Sequence, residues 1–243
     1  MKHQSNILAL KYRPLNFQDL IGQEYLVETI QKSIQQNKIP NAYIFTGIRG
    51  VGKTTTARIV AKMLNCTVFD KNNNPDLINC EQAKAITEDR HPDVIEIDAA
   101  SNTSVENARE IIENVKYNPV LGKYKVYIVD EVHMLSKSAF NALLKTLEEP
   151  PPHSKFIFAT TEISKVPITI LSRCQRFDLR RVEKKTLSDF LKSIAKKEDI
   201  TISNEALNLI VKASDGSVRD SLSILDQANV FKSQKEIQVE EIV

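Results

Sequence analysis

Short hydrophobic runs alternate along most of this chain with longer segments in which hydrophobic residues recur every three or four positions. The short runs are rich in β-branched and aromatic residues and fall at residues 42–46, 93–97, 124–129, 155–159 and 175–179. Such runs predict strands that are buried on both faces, and the spacing between them predicts amphipathic helices. Strands that alternate with helices indicate a parallel sheet with helices on both faces.

Three of the intervening helices have signals of their own. Thr103 and Glu106 predict a capping box before the helix that joins the second and third strands. Ser136 predicts the N-cap of a helix that ends at about Glu149, where three consecutive prolines at 150–152 stop it. The helix after the first strand is predicted from hydrophobic residues at helical spacing, namely Ala57, Val60, Ala61 and Leu64.

After residue 179 the strand pattern ends. Segments 183–197, 203–213 and 217–231 each have the spacing of an amphipathic helix. The sequence therefore predicts an α/β domain over residues 1–179, built on a parallel five-stranded sheet, and a small all-helical domain over residues 180–243. We interpret the basic residues at the junction as a solvated linker; they are Arg180, Arg181, Lys184 and Lys185.

Length and composition exclude several classes of protein. The chain has 243 residues, of which 42% are hydrophobic and 26% charged, so neither a disordered nor a membrane protein is indicated. A formal net charge of +2 does not by itself indicate a nucleic-acid partner. Three widely spaced cysteines, Cys66, Cys80 and Cys174, exclude a disulfide scaffold. Without a signal peptide pattern after Met1, the sequence predicts a cytoplasmic globular protein.

A phosphate-binding motif joins the first predicted strand to the following helix. Residues 47–54 match G-x-x-x-x-G-K-[ST] in full. The glycines let backbone N–H groups turn toward phosphate oxygens, and the helix N-terminus adds its positive dipole end. Lys53 is expected to reach the β- and γ-phosphates of ATP, and Thr54 to bind Mg²⁺ through its hydroxyl. The predicted contact residues are Gly47, Ile48, Arg49, Gly50, Val51, Gly52, Lys53, Thr54 and Thr55.

Two acidic residues follow the third predicted strand directly. Asp130 and Glu131 come after the run 124–129, and the carboxyl ends of parallel strands face the ligand crevice. Asp130 is expected to hold Mg²⁺ directly or through water, and Glu131 to orient and polarise the water that attacks the γ-phosphate. His133 follows closely, and because the histidines lack metal-ligand spacing we interpret it as a packed, hydrogen-bonded residue.

Four segments together point to a known family. Residues 11–14, 21–23, 130–152 and 172–174 closely resemble the gamma/tau subunits of bacterial DNA polymerase III, which are AAA+ ATPases of the clamp loader. The resemblance extends over nearly the whole chain. It implies that ATP binding and hydrolysis load a sliding clamp onto primed DNA, together with other clamp-loader subunits. It also implies a third, collar domain, which we do not expect in this chain; we therefore expect a monomeric fragment.

The resemblance implies roles for further residues. Thr161 matches the sensor 1 position that reads the γ-phosphate, and Arg219 matches sensor 2 on the helical lid. Arg173 matches the arginine finger, which acts on ATP bound by a neighbouring subunit. A last group matches the segment that packs around the base and ribose: Tyr12, Arg13, Pro14 and Ile21.

A four-cysteine zinc module of related chains is incomplete here. Cys66 and Cys80 match two of its ligand positions, whereas Leu77 and Ala83 occupy the other two. Tetrahedral structural zinc needs four N or S donors, usually with a C-x₂₋₄-C pair that this chain lacks. We therefore predict no structural zinc.

Some functional questions stay open at the level of sequence. The resemblance implies that the helix near residues 101–109 faces DNA, with Arg109 adding charge, although an exposed helix without a DNA role fits nearly as well. Two other functions also fit: a different AAA+ machine, such as a helicase loader or branch-migration motor, or a nucleotide-sensing scaffold that does not hydrolyse ATP. No set of carboxylates suits nucleotide addition, so polymerase activity would belong to the rest of the holoenzyme.

Overall fold

A computed structural model describes residues 7–71, 74–101, 105–231 and 236–242. The strands are β1 (Ala42–Thr46), β2 (Val94–Asp98), β3 (Lys125–Asp130), β4 (Ser154–Thr160) and β5 (Gln175–Asp178). The helices are α1 (Leu8–Lys11), α2 (Glu24–Gln35), α3 (Lys53–Asn65), α4 (Glu81–Thr87), α5 (Val105–Val115), α6 (Lys137–Glu148), α7 (Ile168–Leu171), α8 (Lys184–Lys197), α9 (Asn204–Ala213) and α10 (Val218–Phe231). The five predicted strands and three predicted C-terminal helices are all confirmed, with ends shifted by at most one residue.

The strands form one sheet, in the order β2-β3-β4-β1-β5. Every recorded pairing is parallel, so the carboxyl ends of all five strands lie at one edge, as the sequence predicted. β4 lies between β1 and β3. The residues that follow β1 and β3 therefore flank a crevice at the carboxyl edge, where open α/β sheets bind ligands.

Helices cover both faces of the sheet. Tyr43 and Phe45 of β1 pack into one hydrophobic cluster with α3, whereas Ile44 between them packs into another with α6. This follows from the strand geometry, because successive side chains point to opposite faces. Both faces are buried, which is why the strand appears in the sequence as an unbroken hydrophobic run.

Ser136 caps α6 as predicted, since its Oγ accepts a hydrogen bond of 3.2 Å from the Ala139 backbone N–H. The predicted capping box begins at Thr103, which lies outside the described residues. Among the helices that the structure describes, none combines the length and the apolar character needed to cross a membrane.

Helices α8, α9 and α10 enclose a third hydrophobic cluster, which we call the lid core. Leu8 of α1 is part of this cluster, and its backbone N–H donates to Asp226 of α10 at 3.4 Å. Lys11 forms a 2.6 Å ion pair with Glu198 just after α8. The N-terminal helix therefore packs against the lid, although the predicted first domain includes it. The division between residues 179 and 180 stays a prediction.

The linker between sheet and lid is held by its backbone. The Gln23 amide donates to the Arg180 carbonyl at 2.8 Å and accepts from the Arg180 N–H at 3.2 Å. The Val182 N–H donates to the Gly216 carbonyl at 3.1 Å. The side chains of Arg180 and Arg181 are exposed, as a solvated linker predicts, but these hydrogen bonds fix the path of the chain.

Asp93 anchors the loop that leads into β3. Its side chain is fully buried and accepts backbone N–H groups of Val120, Leu121 and Gly122, each at 2.7 Å. Burial alone would raise the pKa of Asp93, but these hydrogen bonds outweigh it and hold the pKa below its usual value.

Replacing Asp93 with asparagine is expected to lower the free energy of unfolding by about 3 kcal/mol at pH 7, because an amide turned toward three N–H donors loses charge-assisted bonds. A depressed folded-state pKa stabilises the protein above the unfolded pKa of about 3.9. The loss should therefore be constant from about pH 7 to 5 and should shrink as the pH falls below about 4 and through the lower folded pKa. Urea titrations at several pH values test this.

The matched control is Asp178→Asn, which alters an exposed carboxylate paired with Arg176 at 2.7 Å. Its effect should stay below about 1 kcal/mol at every pH. An equal loss in both variants, or a loss at Asp93 that does not depend on pH below 4, would contradict the assigned role of the buried carboxylate.

Candidate functional site

The phosphate loop connects β1 to α3 through backbone conformations that favour glycine. Gly50 and Gly52 have φ of +77° and +104°, in the region that side chains rarely adopt. A Cβ on Gly50 would also lie 2.1 Å from Ser217 Oγ. The loop therefore needs glycine both for its own shape and for its contact with the start of α10.

Lys53 opens α3 and turns back over the loop. Its Nζ donates to the carbonyl oxygens of Gly47 and Ile48, each at 3.1 Å, and the residue is only 6% exposed. Burial lowers the pKa of Lys53 below its ordinary value, and the charges of Glu131 and Asp130 oppose that shift. An anionic ligand beside Lys53 would favour the charged ammonium in the same way.

A hydrogen bond joins the phosphate loop to the acidic end of β3. Thr54 Oγ1 donates to Asp130 Oδ2 at 2.6 Å, and the Glu131 N–H donates to Asp130 Oδ1 at 2.9 Å. The two predicted metal-binding residues are thus in direct contact, although they are 76 positions apart in sequence.

Glu131 is held from the neighbouring strand. Its backbone is left-handed, with φ of 47° and ψ of 44°. Its Oε2 accepts the Thr161 N–H at 3.1 Å and the Thr161 hydroxyl at 3.0 Å. The predicted sensor residue therefore contacts the predicted catalytic carboxylate directly.

A cavity of about 620 Å³ lies between the carboxyl edge of the sheet and the lid, within the usual range for ligand sites. Most predicted site residues line it, namely Tyr12, Arg13, Pro14, Ile21, Arg49, Gly50, Val51, Gly52, Lys53, Thr54, Thr55, Asp130, Glu131 and Arg219. Arg13 contacts the first turn of α3, where its Nε donates to Thr55 Oγ1 at 3.3 Å. Burial and the nearby Arg58 lower the pKa of Arg13.

The lid contacts the phosphate loop directly. The Arg219 N–H at the start of α10 donates to the Gly50 carbonyl at 3.2 Å. Because both residues line the cavity, a ligand there would contact sheet and lid together.

Four predicted residues lie outside the lining of this cavity. Gly47 and Ile48 contribute carbonyl oxygens to Lys53, and Thr161 lies behind Glu131. Arg173 has hydrogen-bond partners that do not line the cavity either. Its guanidinium donates to Glu148 Oε1 at 2.5 Å and to the Thr169 carbonyl at 2.6 Å.

Several lining residues were not predicted from the sequence. Asp98 is the last residue of β2 and Ala100 lies just after it. Asp98 is in register with Asp130, so the rule that ligands bind at the carboxyl ends of parallel strands, which located Asp130, would have found both. No local motif marks the lid residues Phe190, Val218, Leu222 and Ser223. Arg109 is exposed on α5, and the neighbouring residues 102–104 lie outside the described ranges.

The donors at the end of β3 fit Mg²⁺ bound together with a phosphate. Across the described ranges, no three His, Cys, Asp or Glu side chains form a metal cage. Mg²⁺ bound with nucleotides commonly takes only one or two protein oxygens. The Thr54 hydroxyl and the Asp130 carboxylate supply such a pair.

The four positions of the zinc module lie together. Cys66, Cys80 and Ala83 are buried in one cluster, with Leu77 packed against it. The two thiols hydrogen-bond to one another, and burial raises the pKa of Cys66 to about 12. Two sulfur donors and two hydrocarbon side chains do not meet the needs of tetrahedral zinc; that zinc is absent stays a prediction.

Two family models match the chain. One, described as "DNA polymerase III, delta subunit", matches residues 22–183. The other, described as "DNA polymerase III clamp loader subunit, ATPase lid domain", matches residues 186–233.

Curated relatives match over most of the chain. The tau/gamma subunit of DNA polymerase III from Haemophilus influenzae is 50% identical over 91% of this chain and 32% of its own length. The tau subunits from Bacillus subtilis and Escherichia coli are 49% and 47% identical over 90% and 91% of this chain, and 39% and 34% of their own lengths. This chain thus spans between three and four tenths of these relatives.

Solved structures support the same fold. The RuvB Holliday junction branch migration motor of Thermotoga maritima matches with a TM-score of 0.67 over 95% of this chain and 70% of that protein. At 18% sequence identity the likeness concerns the fold alone: an AAA+ parallel sheet with flanking helices, followed by a helical lid.

Proposed function

Because this chain belongs to the clamp-loader subunit family of bacterial DNA polymerase III, we propose that it is an ATPase subunit of a replicative clamp loader. The observation that carries the proposal is the 2.6 Å hydrogen bond between Thr54 and Asp130. It joins a phosphate-binding loop to an acidic strand end, and phosphoryl transfer in P-loop ATPases depends on that pairing.

The phosphate loop and the end of β3 would hold ATP and Mg²⁺. The Lys53 ammonium would pair with the β- and γ-phosphates, and Thr54 Oγ1 and Asp130 Oδ2 would hold the metal ion. When bound, Mg²⁺ would neutralise part of the negative charge of the phosphates. Tyr12, Arg13, Pro14 and Ile21 would enclose the base and ribose.

Glu131 would orient the attacking water and accept its proton. The hydrogen bonds recorded for its carboxylate within the described residues fall on Oε2. We therefore assign proton transfer to Oε1. A carboxylate serves as a base only if its orientation is fixed against the water, and Thr161 supplies two donors that fix it.

Arg219 would couple the nucleotide to the lid. Its backbone already binds the phosphate loop through Gly50, and its guanidinium would contact the γ-phosphate as sensor 2. A ligand shifts a conformational equilibrium only through contacts that differ between the states. Loss of the γ-phosphate would therefore change how the lid sits on the sheet.

Arg173 would act on a neighbouring subunit. It does not line the cavity of its own chain and is bound instead to Glu148 and Thr169. A guanidinium aimed at a γ-phosphate across a subunit boundary stabilises charge in the transition state. The proposed partners are accordingly other clamp-loader subunits, the sliding clamp and primed DNA. The proposed location of the protein is the cytoplasm, where such partners would meet it.

ATP hydrolysis by this chain alone is expected to be slow. It should rise roughly 1000-fold or more when the protein joins its partner subunits, clamp and primed DNA, because an arginine finger contributes a factor of about 10³ to 10⁵. Arg173→Ala should remove most of the increase and leave ATP affinity unchanged. Steady-state phosphate release measures the rates with and without partners, and equilibrium titration measures the ATP affinity.

The control is Arg176→Ala, which removes a half-exposed arginine of β5 that pairs with Asp178. It should leave the stimulation intact. Full turnover by the isolated chain would contradict the shared site, and stimulation without any requirement for clamp or DNA would favour a different AAA+ machine.

A further inference from the structure

A histidine lies behind the proposed catalytic carboxylate. The His133 side chain is only 6% exposed, with Nδ1 at 3.4 Å from Glu131 Oε2 and Nε2 at 3.4 Å from Glu162 Oε1. Its Nδ1 also lies 2.9 Å from Thr160 Oγ1. His133 does not line the cavity, so it would touch neither nucleotide nor water.

The orientation of the His133 ring is fixed in either neutral tautomer. A threonine hydroxyl can donate or accept, so Thr160 Oγ1 stays hydrogen-bonded to Nδ1 whichever ring nitrogen carries the proton. Thr160 is itself buried and accepts the Glu162 N–H at 3.0 Å. Glu162 is in turn paired with Lys165 at 2.8 Å. The imidazole is therefore held in one orientation, with Nδ1 beside Oε2 of Glu131.

Glu131 adopts a backbone conformation that residues other than glycine rarely take. It lies between the end of β3 and a 3₁₀ turn over Val132–Met134, in a left-handed conformation. Thr161 binds Oε2 from one side, and His133 approaches the same oxygen from its own turn. The two contacts together restrict rotation of the carboxylate about its terminal bond.

We propose that His133 is a positioning residue for Glu131: with Thr160 and Thr161 it fixes Oε2 so that Oε1 faces the attacking water. This inference rests on the proposed function. It differs from the interpretation of His133 as a packed residue, because packing alone predicts an effect on stability and no specific effect on turnover.

Replacing His133 with leucine is expected to lower kcat for ATP hydrolysis roughly 10- to 100-fold, because a misplaced catalytic group loses about that much rate. KM and ATP affinity should stay within about twofold, since the residue lies outside the cavity. The assay uses the protein assembled with its partner subunits. His153→Leu is the matched control: His153 is also partly buried and hydrogen-bonds the Val115 carbonyl at 3.0 Å, far from Glu131, and its loss should not change kcat.

A double-mutant cycle separates positioning from structure. In a Glu131→Gln background, His133→Leu should cause no further loss of rate, because the group it positions has already been disabled. Additive losses, or a change in KM as large as the change in kcat, would overturn the proposal. If the leucine variant does not fold, His133→Asn and His133→Gln decide: asparagine, with a polar atom near the Nδ1 position, should retain more activity than glutamine.

The proposed function and this inference fail in different ways. No hydrolysis by the wild-type assembly, or no effect of Glu131→Gln, would contradict the proposed function. A His133→Leu variant with wild-type kcat, in an assembly that Glu131→Gln disables, would contradict only the role of His133.

Discussion

Lys53→Ala is expected to weaken ATP binding by roughly 100-fold or more. The Lys53 ammonium is almost completely buried and lies 3.1 Å from two carbonyl oxygens of the phosphate loop, where the phosphates would bind. Losing a charge-assisted hydrogen bond at a buried site costs about 3 kcal/mol, and each 1.4 kcal/mol is about a tenfold change in affinity. Equilibrium titration with ATP, followed by calorimetry or by a fluorescent analogue, measures this.

Lys155→Ala is the matched control for this prediction. Lys155 is buried to a similar extent and donates to Asn41 Oδ1 at 2.7 Å, but it lies near the amino end of β4, opposite the cavity. Its removal should lower stability and leave ATP affinity within about twofold. Wild-type affinity in Lys53→Ala, or equal losses in both variants, would contradict the assignment of the phosphate site to residues 47–54.

The sheet could be predicted because its strands appear in the sequence as short hydrophobic runs. β1 is buried on both faces, so Tyr43, Ile44 and Phe45 appear as one hydrophobic run. The order of the strands was not predictable from the runs, because hydrophobic pattern records burial and says nothing about which strand is the neighbour. The site could still be located, since parallel strands bring their carboxyl ends to one edge in any order.

Contacts within the site followed local rules only in part. Lys53 and Thr54 belong to one motif, and Asp130 lies at a strand end, so their approach could be predicted. The contact between Gly50 and Arg219 could not, because it depends on how the lid packs against the sheet. The same is true of Leu8, which belongs to the lid core although it lies at the other end of the sequence.

Glu131→Gln is expected to slow ATP hydrolysis roughly 100- to 1000-fold and to leave ATP affinity within a few-fold. Glutamine keeps the size of glutamate and can still accept from the Thr161 N–H and hydroxyl, which now bind Oε2 at 3.1 and 3.0 Å. It cannot accept a proton from water, and general-base catalysis contributes a factor of about 10² to 10⁴. The variant should therefore hold ATP without turnover. Single-turnover hydrolysis and ATP titration on the same preparation separate the two effects.

Glu28→Gln supplies the control, because Glu28 is an exposed carboxylate of α2 that pairs with Lys32 at 2.5 Å and does not line the cavity. Its rate and affinity should both match the wild type. The comparison also discriminates between two proposed functions that both require the phosphate loop, a nucleotide-sensing scaffold and an ATPase. A nucleotide-sensing scaffold would bind ATP equally well with glutamate or glutamine at position 131 and would hydrolyse it with neither. An ATPase loses turnover at this one substitution, because only a carboxylate there can take the proton.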